Sequence, residues 1–477
     1  MLKNHFNQIL TGKVGFTLTQ GQQDAASLLA EYIIHHKKDS CFLLRGYAGT
    51  GKTTLLGSLV KTLTELGIKS VLLAPTGRAA KVLSAYCNAP AFTIHKWIYR
   101  QRSDGDGFGH FDINFNGLKN AVFIVDEASM LTNNQLDGSL FGSGRLLDDL
   151  LFFINQGEGC KLILSGDNAQ LPPVGFEESP ALDKNELQAM GLNVVEALLT
   201  EVVRQEQESG ILHNATLLRD MLSAEAISTP KFKVEGFSDI SRLSGADLLE
   251  VLEESYSRYD REGTVVLCYS NKRANRYNEG VRGRIFWREE ELSSGDFIMI
   301  AKNSYYWVEG SKEISFIANG DIAEVLRVRR TTEMYGFRFA DVLLRFGDYS
   351  NIEIEARIIL DTLTLDGPAL SATQMRNLYD RVAEDYAHLK TKKERYMKMK
   401  EDSYYNAMQC KFAYAVTCHK AQGGQWPVVF LDQGFFKEEM MSREYLRWLY
   451  TALTRATEKV YLVNFANDFF PSTENVL

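Results

Sequence analysis

Phe42-Leu43-Leu44-Arg45-Gly46-Tyr47-Ala48-Gly49-Thr50-Gly51-Lys52-Thr53-Thr54 is the stretch from which the rest of the chain can be read. An apolar run leads into G-x-x-x-x-G-K-T, and Leu55-Leu56-Gly57-Ser58-Leu59-Val60 continues it with a helix-like pattern. This is a phosphate-binding loop in its required setting, a buried strand before it and a helix after it. Gly46, Gly49 and Gly51 let the backbone bend so that its N–H groups point at phosphate oxygens. The N-terminus of the following helix adds partial positive charge at the same spot. Lys52 supplies a full charge to the β- and γ-phosphates of a nucleoside triphosphate, and the Thr53 hydroxyl suits magnesium. Gly46, Ala48, Gly49, Thr50, Gly51, Lys52, Thr53 and Thr54 are the candidate nucleotide-binding set. The plainer reading is a glycine turn before an ordinary helix, with Lys52 in solvent. It gives way because the strand–loop–helix setting is present.

Three further apolar runs end in polar clusters. Val71-Leu72-Leu73-Ala74 runs into Pro75-Thr76-Gly77-Arg78, Ala121–Val125 into Asp126-Glu127-Ala128-Ser129, and Lys161–Ser165 into Gly166-Asp167-Asn168-Ala169-Gln170-Leu171-Pro172-Pro173. Near-continuous apolar strands alternating with helices predict a parallel sheet covered on both faces, with ligands at the strands' carboxyl ends. The acidic pair after a buried strand, downstream of a phosphate loop, has an assigned task. Asp126 holds magnesium, Glu127 orients and deprotonates the attacking water, and Gln170 reaches the γ-phosphate by a hydrogen bond. Upstream, residues 17–36 read as a helix with Thr19 as its N-cap. Gln22 at its start can donate to and accept from an adenine edge at once.

Length and composition bound the rest. A chain of 477 residues suggests about three domains. Hydrophobic content of 45% and charged content of 24% are ordinary for a globular protein. The net charge of −8 does not favour a polyanion, so any nucleic-acid site must concentrate its Lys and Arg locally. The six cysteines, at 41, 87, 160, 268, 410 and 418, show no metal-ligand spacing. With no long apolar run and no signal-peptide core, these reduced thiols point to a cytoplasmic protein.

A second α/β unit starts at Thr264–Ser270 without a phosphate loop. Its other strands come much later, at 413–417, 427–431 and 459–463. Between them, Gly-Asp turns and short strands from Ser294 onward predict a small antiparallel barrel, followed by one long charged helix over 373–403. Residues 96–120 read as a hairpin insertion, with Phe111, Ile113 and Phe115 alternating after a Gly/Asp turn. An exposed aromatic there could wedge at a base step, and a surface hairpin with its own apolar face is the equal alternative.

Two later stretches narrow the reading: Thr417-Cys418-His419-Lys420-Ala421-Gln422-Gly423 and Tyr450-Thr451-Ala452-Leu453-Thr454-Arg455. With the stretches above, in this order, the chain resembles superfamily 1 DNA helicases of the RecD/Dda-like branch, from Gln22 to Arg455. The resemblance implies an α/β fold of two RecA-like P-loop parallel-sheet domains, with an inserted small β-hairpin and an inserted SH3-like β-barrel plus long helix. It places the first domain (1A) at 1–205, with the hairpin (1B) at 96–120. The second (2A) is at 206–294 and 411–477, and the inserted domain (2B), barrel and helical arm, at 295–410. ATP and Mg2+ are the implied cofactors, with Gln22 reading adenine and Gly424 joining the nucleotide site. Lys52, Glu127, Gln170, Arg204 and Arg455 are the implied catalytic set, Arg455 arriving from the second domain. The implied partner is single-stranded DNA and duplex junctions, lined by Pro75, Thr76, His95, Thr417, His419 and Lys420. Phe108 or Phe111 would be the wedge of the separating pin. Travel would be 5′-to-3′.

Three other readings stand beside this one. A strand translocase could displace proteins without efficient unwinding. A P-loop NTPase could act on proteins alone, which the acidic charge favours and the 417–423 and 450–455 stretches oppose. A nucleotide-binding module without turnover is opposed by Glu127, Gln170 and the two arginines. Lys52→Ala should abolish ATP hydrolysis and leave strand binding largely intact. Normal turnover in that variant, measured by phosphate release, would overturn the site assignment.

Overall fold

The computed structural model describes residues 2–35, 39–101, 111–134, 141–202, 208–309, 311, 314, 316–349 and 351–471. After the helices Leu2–Gly12 and Gln20–His35, β1 (Ser40–Gly46) runs into the phosphate loop and the helix Lys52–Glu65. β2 (Ser70–Ala74), the helix Gly77–Cys87 and β3 (Ala91–Thr93) follow. Next come a two-stranded excursion, β4 (Tyr99–Gln101) with β5 (Phe111–Ile113), and then β6 (Val122–Val125), β7 (Lys161–Gly166) and β8 (Asn193–Leu199). The main strands make a six-stranded sheet in the order β3-β2-β6-β7-β1-β8, parallel throughout. Cys41 and Leu43 of β1 enter one apolar core, with Phe123 and Ile154, while Phe42 and Leu44 enter the other, with Leu29 and Leu59. Successive side chains of a strand point to opposite faces, so a strand covered on both sides reads as an unbroken apolar run.

β9 (Ile240–Leu243) and β10 (Thr264–Cys268) begin a second sheet, which the chain leaves through the helix Asn271–Gly280. It then builds β11 (Phe297–Ile300), β12 (Ile322–Met334), β13 (Phe337–Phe346), β14 (Ile352–Ile359) and β15 (Met408–Phe412), which close into a barrel. It returns with β16 (Ala415–Thr417), β17 (Trp426–Asp432) and β18 (Ala456–Val463). The second sheet has the order β16-β10-β17-β18-β9, again parallel throughout. This is the expected pair of RecA-like sheets with a barrel interrupting the second.

Two features differ from the sequence expectation. The barrel is closed by β15, which pairs antiparallel with β11 and parallel with β14 and runs across the expected boundary at 410/411. Its Gln409 and Lys411 hide the strand from a polarity reading. Both are buried, and Gln409 Oε1 accepts the Leu370 N–H at 2.9 Å. The single long helix is corrected to two, Ala372–Asp385 and Lys392–Glu401. The break has a local cause. Thr391 and Glu394 form a capping box, each side chain bonded to the other's backbone N–H, which starts a new helix instead of continuing the old one. The two helices fold back on each other, burying Leu378, Val382 and Met399 with Phe339 and Ile359 of the barrel.

Barrel and second sheet are joined by a buried charge cluster. Asp296, fully buried, takes two bonds from Arg282, at 3.0 and 2.9 Å, and one each from Arg288 (2.6 Å), the Tyr414 hydroxyl (3.0 Å) and the Ser293 N–H (2.8 Å). A buried ion is tolerable when every lone pair is occupied, and removing one partner strands the others. Asp296→Ala should therefore lower unfolding free energy by about 3–5 kcal/mol, read by denaturant titration.

Candidate active site between the two sheets

The phosphate loop leaves the carboxyl end of β1. Gly49 and Gly51 sit at φ 77° and 83°, a left-handed backbone that side chains disfavour. Gly46 is required for a different reason, since a Cβ there would lie 2.8 Å from Thr50 Oγ1 and 2.9 Å from Leu199 Cβ. Lys52 Nζ donates to the Gly46 and Tyr47 carbonyls at 2.6 and 2.9 Å, so its charge is held at the loop. Thr53 and Thr54 open the helix behind it. Gln22 is buried against the loop. Its Nε2 donates to the Thr50 carbonyl at 2.9 Å and its Oε1 accepts the Thr19 N–H at 3.1 Å, so both ends of the amide are engaged by the protein.

Asp126 and Glu127 follow β6, beside β7. Asp126 Oδ1 accepts from the Ser165 hydroxyl at 2.8 Å. Burial, with the Glu127 charge beside it, raises its carboxyl to about 6, against the opposing pull of Ser165 and Lys52. Glu127 stands at φ 53°, ψ 37°, a left-handed conformation for a residue with a side chain. Such strain is concentrated at functional sites. Gln170 is buried, and its Oε1 has no hydrogen-bond partner among the described residues. An orphaned buried acceptor costs about 1–3 kcal/mol unless a ligand or water meets it. Among the described residues no group of three or more His, Cys, Asp or Glu could hold a metal alone. Magnesium tolerates this, because it binds through one or two protein oxygens plus substrate phosphates.

The second domain reaches into this site. Arg455, buried, holds its guanidinium with bonds to the Thr451 and Gly424 carbonyls and places Nη1 3.8 Å from Glu127 Oε1. The Gln422 amide donates to the Leu171 carbonyl at 2.7 Å, and the Leu171 N–H donates to Thr451 Oγ1 at 2.8 Å. Sequence reasoning gave Asp167, Gln422, Tyr450 and Thr451 no role. They lie within quoted motifs, but only the approach of the two sheets shows what they touch. Arg204 and Phe108 lie outside the described residues.

The residues expected along a strand are distributed as follows. Pro75 and Thr76 follow β2, and Thr76 caps the helix Gly77–Cys87 by accepting the Ala79 N–H. Thr417, His419 and Lys420 follow β16. Lys420 Nζ donates to Asn319 Oδ1 of the barrel at 2.6 Å, and burial lowers its ammonium to about 8. His95 packs between the Tyr99 and Phe141 rings, and burial lowers its imidazole to about 4, so it is neutral at pH 7. Phe111 is corrected as a wedge candidate. It is 7% exposed and packs against Phe141 and Tyr305 at 4.8 and 4.6 Å, anchoring the hairpin on the barrel.

Two RecA-like sheets, with a phosphate loop on one and an arginine delivered by the other, define a two-domain P-loop nucleotide-binding protein. Comparison with known families agrees. The AAA domain family matches residues 17–231 and the UvrD-like helicase C-terminal domain matches residues 412–463. An uncharacterized protein of Methanocaldococcus jannaschii is 24% identical over 92% of this chain and 38% of its own length. The ATP-dependent RecD2 DNA helicase of Deinococcus radiodurans is 23% identical, over 92% of this chain and 48% of its own. The ATP-dependent DNA helicase Dda of Enterobacteria phage T4 is 26% identical over 66% and 69%. The chain thus spans less than half the length of the first two relatives. These likenesses are to superfamily 1 helicases of the RecD/Dda/Pif1-like branch.

Gly423 fixes how closely the domains meet. It lies at φ 75°, and a Cβ there would come 2.8 Å from Ala79 Cβ and 3.0 Å from Thr76 Oγ1. Gly423→Ala should hold the domains apart, measured as a larger radius of gyration in small-angle scattering than the parent protein.

Proposed function

We propose that the protein is an ATP-hydrolysing motor that travels along single-stranded DNA, in the 5′-to-3′ direction, and couples that travel to duplex separation. The observation that carries the reading is Arg455. It comes from the second sheet and stands 3.8 Å from Glu127 on the first, so the site is complete only when the domains close. Names given to the RecD2 and Dda relatives agree with it. The division into 1–205, 206–294 with 411–477, and 295–410 goes with this reading.

In the proposed mechanism the Gly46–Lys52 loop and the helix behind it hold the triphosphate, with Lys52 on the β- and γ-phosphates. Gln22, fixed by Thr19 and Thr50, stands at the adenine side. Thr53 and Asp126 would hold magnesium, which neutralises charge developing on the phosphates. Glu127 orients the attacking water and accepts its proton, and Gln170 donates its amide N–H to the γ-phosphate. Arg455, and Arg204 with it, stabilise the transferring phosphoryl group. An arginine supplied in this way is worth ~10³–10⁵ in rate. Hydrolysis therefore waits on closure, and cycles of closing and opening would ratchet a strand across Pro75, Thr76, Thr417, His419 and Lys420. Hydroxyls and an ammonium suit phosphate and sugar contact without sequence reading. His95 would support that path from within its aromatic cluster. A cytoplasmic location is part of the proposal.

A translocase that displaces proteins without efficient unwinding would share this site, and a strand-displacement assay separates the two. The primary test is ATP hydrolysis with and without single-stranded DNA, with RNA in parallel. DNA should stimulate turnover strongly, and the stimulation should weaken as salt rises, because phosphate contacts release counterions. Equal turnover with and without nucleic acid would sink the motor reading in favour of protein substrates.

A further inference from the structure

A phenol is buried between the two domains, at the mouth of the phosphate loop. We propose that Tyr450 is a positioning residue that transmits closure of the second domain to the phosphate loop. Its hydroxyl bridges the Ala48 N–H of the loop and the Asp167 carboxylate, and so sets the loop mouth and the Gln170 turn together. This rests on reading the site as the ATPase of a strand-driven motor.

The geometry is specific. The Ala48 N–H donates to Tyr450 Oη at 2.8 Å, and Tyr450 Oη donates to Asp167 Oδ2 at 2.7 Å. A phenol has one proton to give and lone pairs to receive, and this one does both across the domain boundary. Tyr450 is 1% exposed and Asp167 is fully buried. In such surroundings a hydrogen bond to a carboxylate is strong, and an unmet one is costly. Asp167 Oδ1 takes the Ala169 N–H at 2.9 Å, so the carboxylate also shapes its own turn. The next residue, Thr451, takes the Leu171 N–H at 2.8 Å. One turn of the helix Arg443–Leu453 thus grips the segment 167–171 at both ends. Gln170, whose Oε1 meets no partner among the described residues, lies inside the gripped segment.

Arg455 follows the same helix and bonds its Thr451 carbonyl at 3.0 Å. A shift of this helix moves the arginine, the phenol and the Gln170 turn as a unit. Opening the domains removes the shared partner from Ala48 and Asp167 at the moment the arginine withdraws. Closure is the two-state element, and the bridge lets the phosphate loop sense it. The bland account is that Tyr450 merely fills the apolar cluster around Leu446, Leu449 and Trp448. Tyr450→Phe separates the two, since it keeps the ring and deletes the bridge.

The test is steady-state ATP hydrolysis by the full chain with saturating single-stranded DNA, for Y450F, D167N, the double variant and Y256F. Tyr256 is another buried phenol, and its hydroxyl has no hydrogen-bond partner among the described residues. The expected result for Y450F is a kcat lowered by about tenfold or more, with KM for ATP moved by less than about threefold. Y256F should stay within about twofold of the parent, and the double variant should lose far less than the product of the single losses. A Y450F kcat close to the parent would overturn the proposal. So would a loss carried in KM alone, a loss matched by Y256F, or independent losses in the double variant. If the parent protein shows no DNA stimulation, the motor reading fails, and the same comparison on unstimulated kcat still judges the bridge.

Discussion

The structure depends on one backbone path, the turn from Gly46 to Lys52. It passes twice through left-handed conformations, at Gly49 and Gly51, and comes too close to Thr50 and Leu199 for a side chain at Gly46. Only a rigid support holds such a path. The support is β1, flanked by β7 and β8 with both faces in apolar cores. Everything chemical then collects where β1, β2, β6 and β7 end, because parallel strands present their carboxyl ends on one edge.

The second constraint is that half of the site is borrowed. Arg455, Tyr450, Thr451 and Gln422 belong to the later domain and touch Glu127, Asp167, Ala48 and Leu171 of the earlier one. These contacts are polar, few and buried, so they are strong when aligned and unfavourable when half-made. That is the energetic character a closing interface needs. Ala169 and Leu171 of the earlier domain also pack in the apolar cluster of Leu446, Trp448 and Leu449, so polar and apolar contacts meet at this seam.

The insertions are tied into the same body. The hairpin packs Phe111 on Tyr305 of the barrel region, and the helix Gly77–Cys87 begins so close to Asp321 that a Cβ at Gly77 would lie 2.7 Å from its carboxylate. Tyr349 donates to the other oxygen of Asp321 at 2.6 Å. Lys420 reaches from the second sheet to Asn319 on the same barrel turn. The turn 319–321 therefore meets helices of both α/β domains, although the barrel is inserted only in the second.

The amino-acid sequence by itself determined what local chemistry dictates. The phosphate loop, the strands around it, Asp126-Glu127, the interrupted second sheet and the barrel were all legible, since glycine spacing, apolar runs and turn residues are short-range signals. A competing local signal decides the helix after the barrel, which the Thr391–Glu394 capping box splits in two. β15 escaped because Gln409 and Lys411 are polar yet buried, and a residue's burial depends on its neighbours across the barrel. The tertiary structure alone decided that Phe111 anchors instead of wedging, that Gln22 has both amide ends engaged, and that Tyr450 bridges Ala48 and Asp167. The last pairing joins positions about 400 residues and about 280 residues apart. No local pattern encodes such a contact, because it exists only once two separately folded sheets meet.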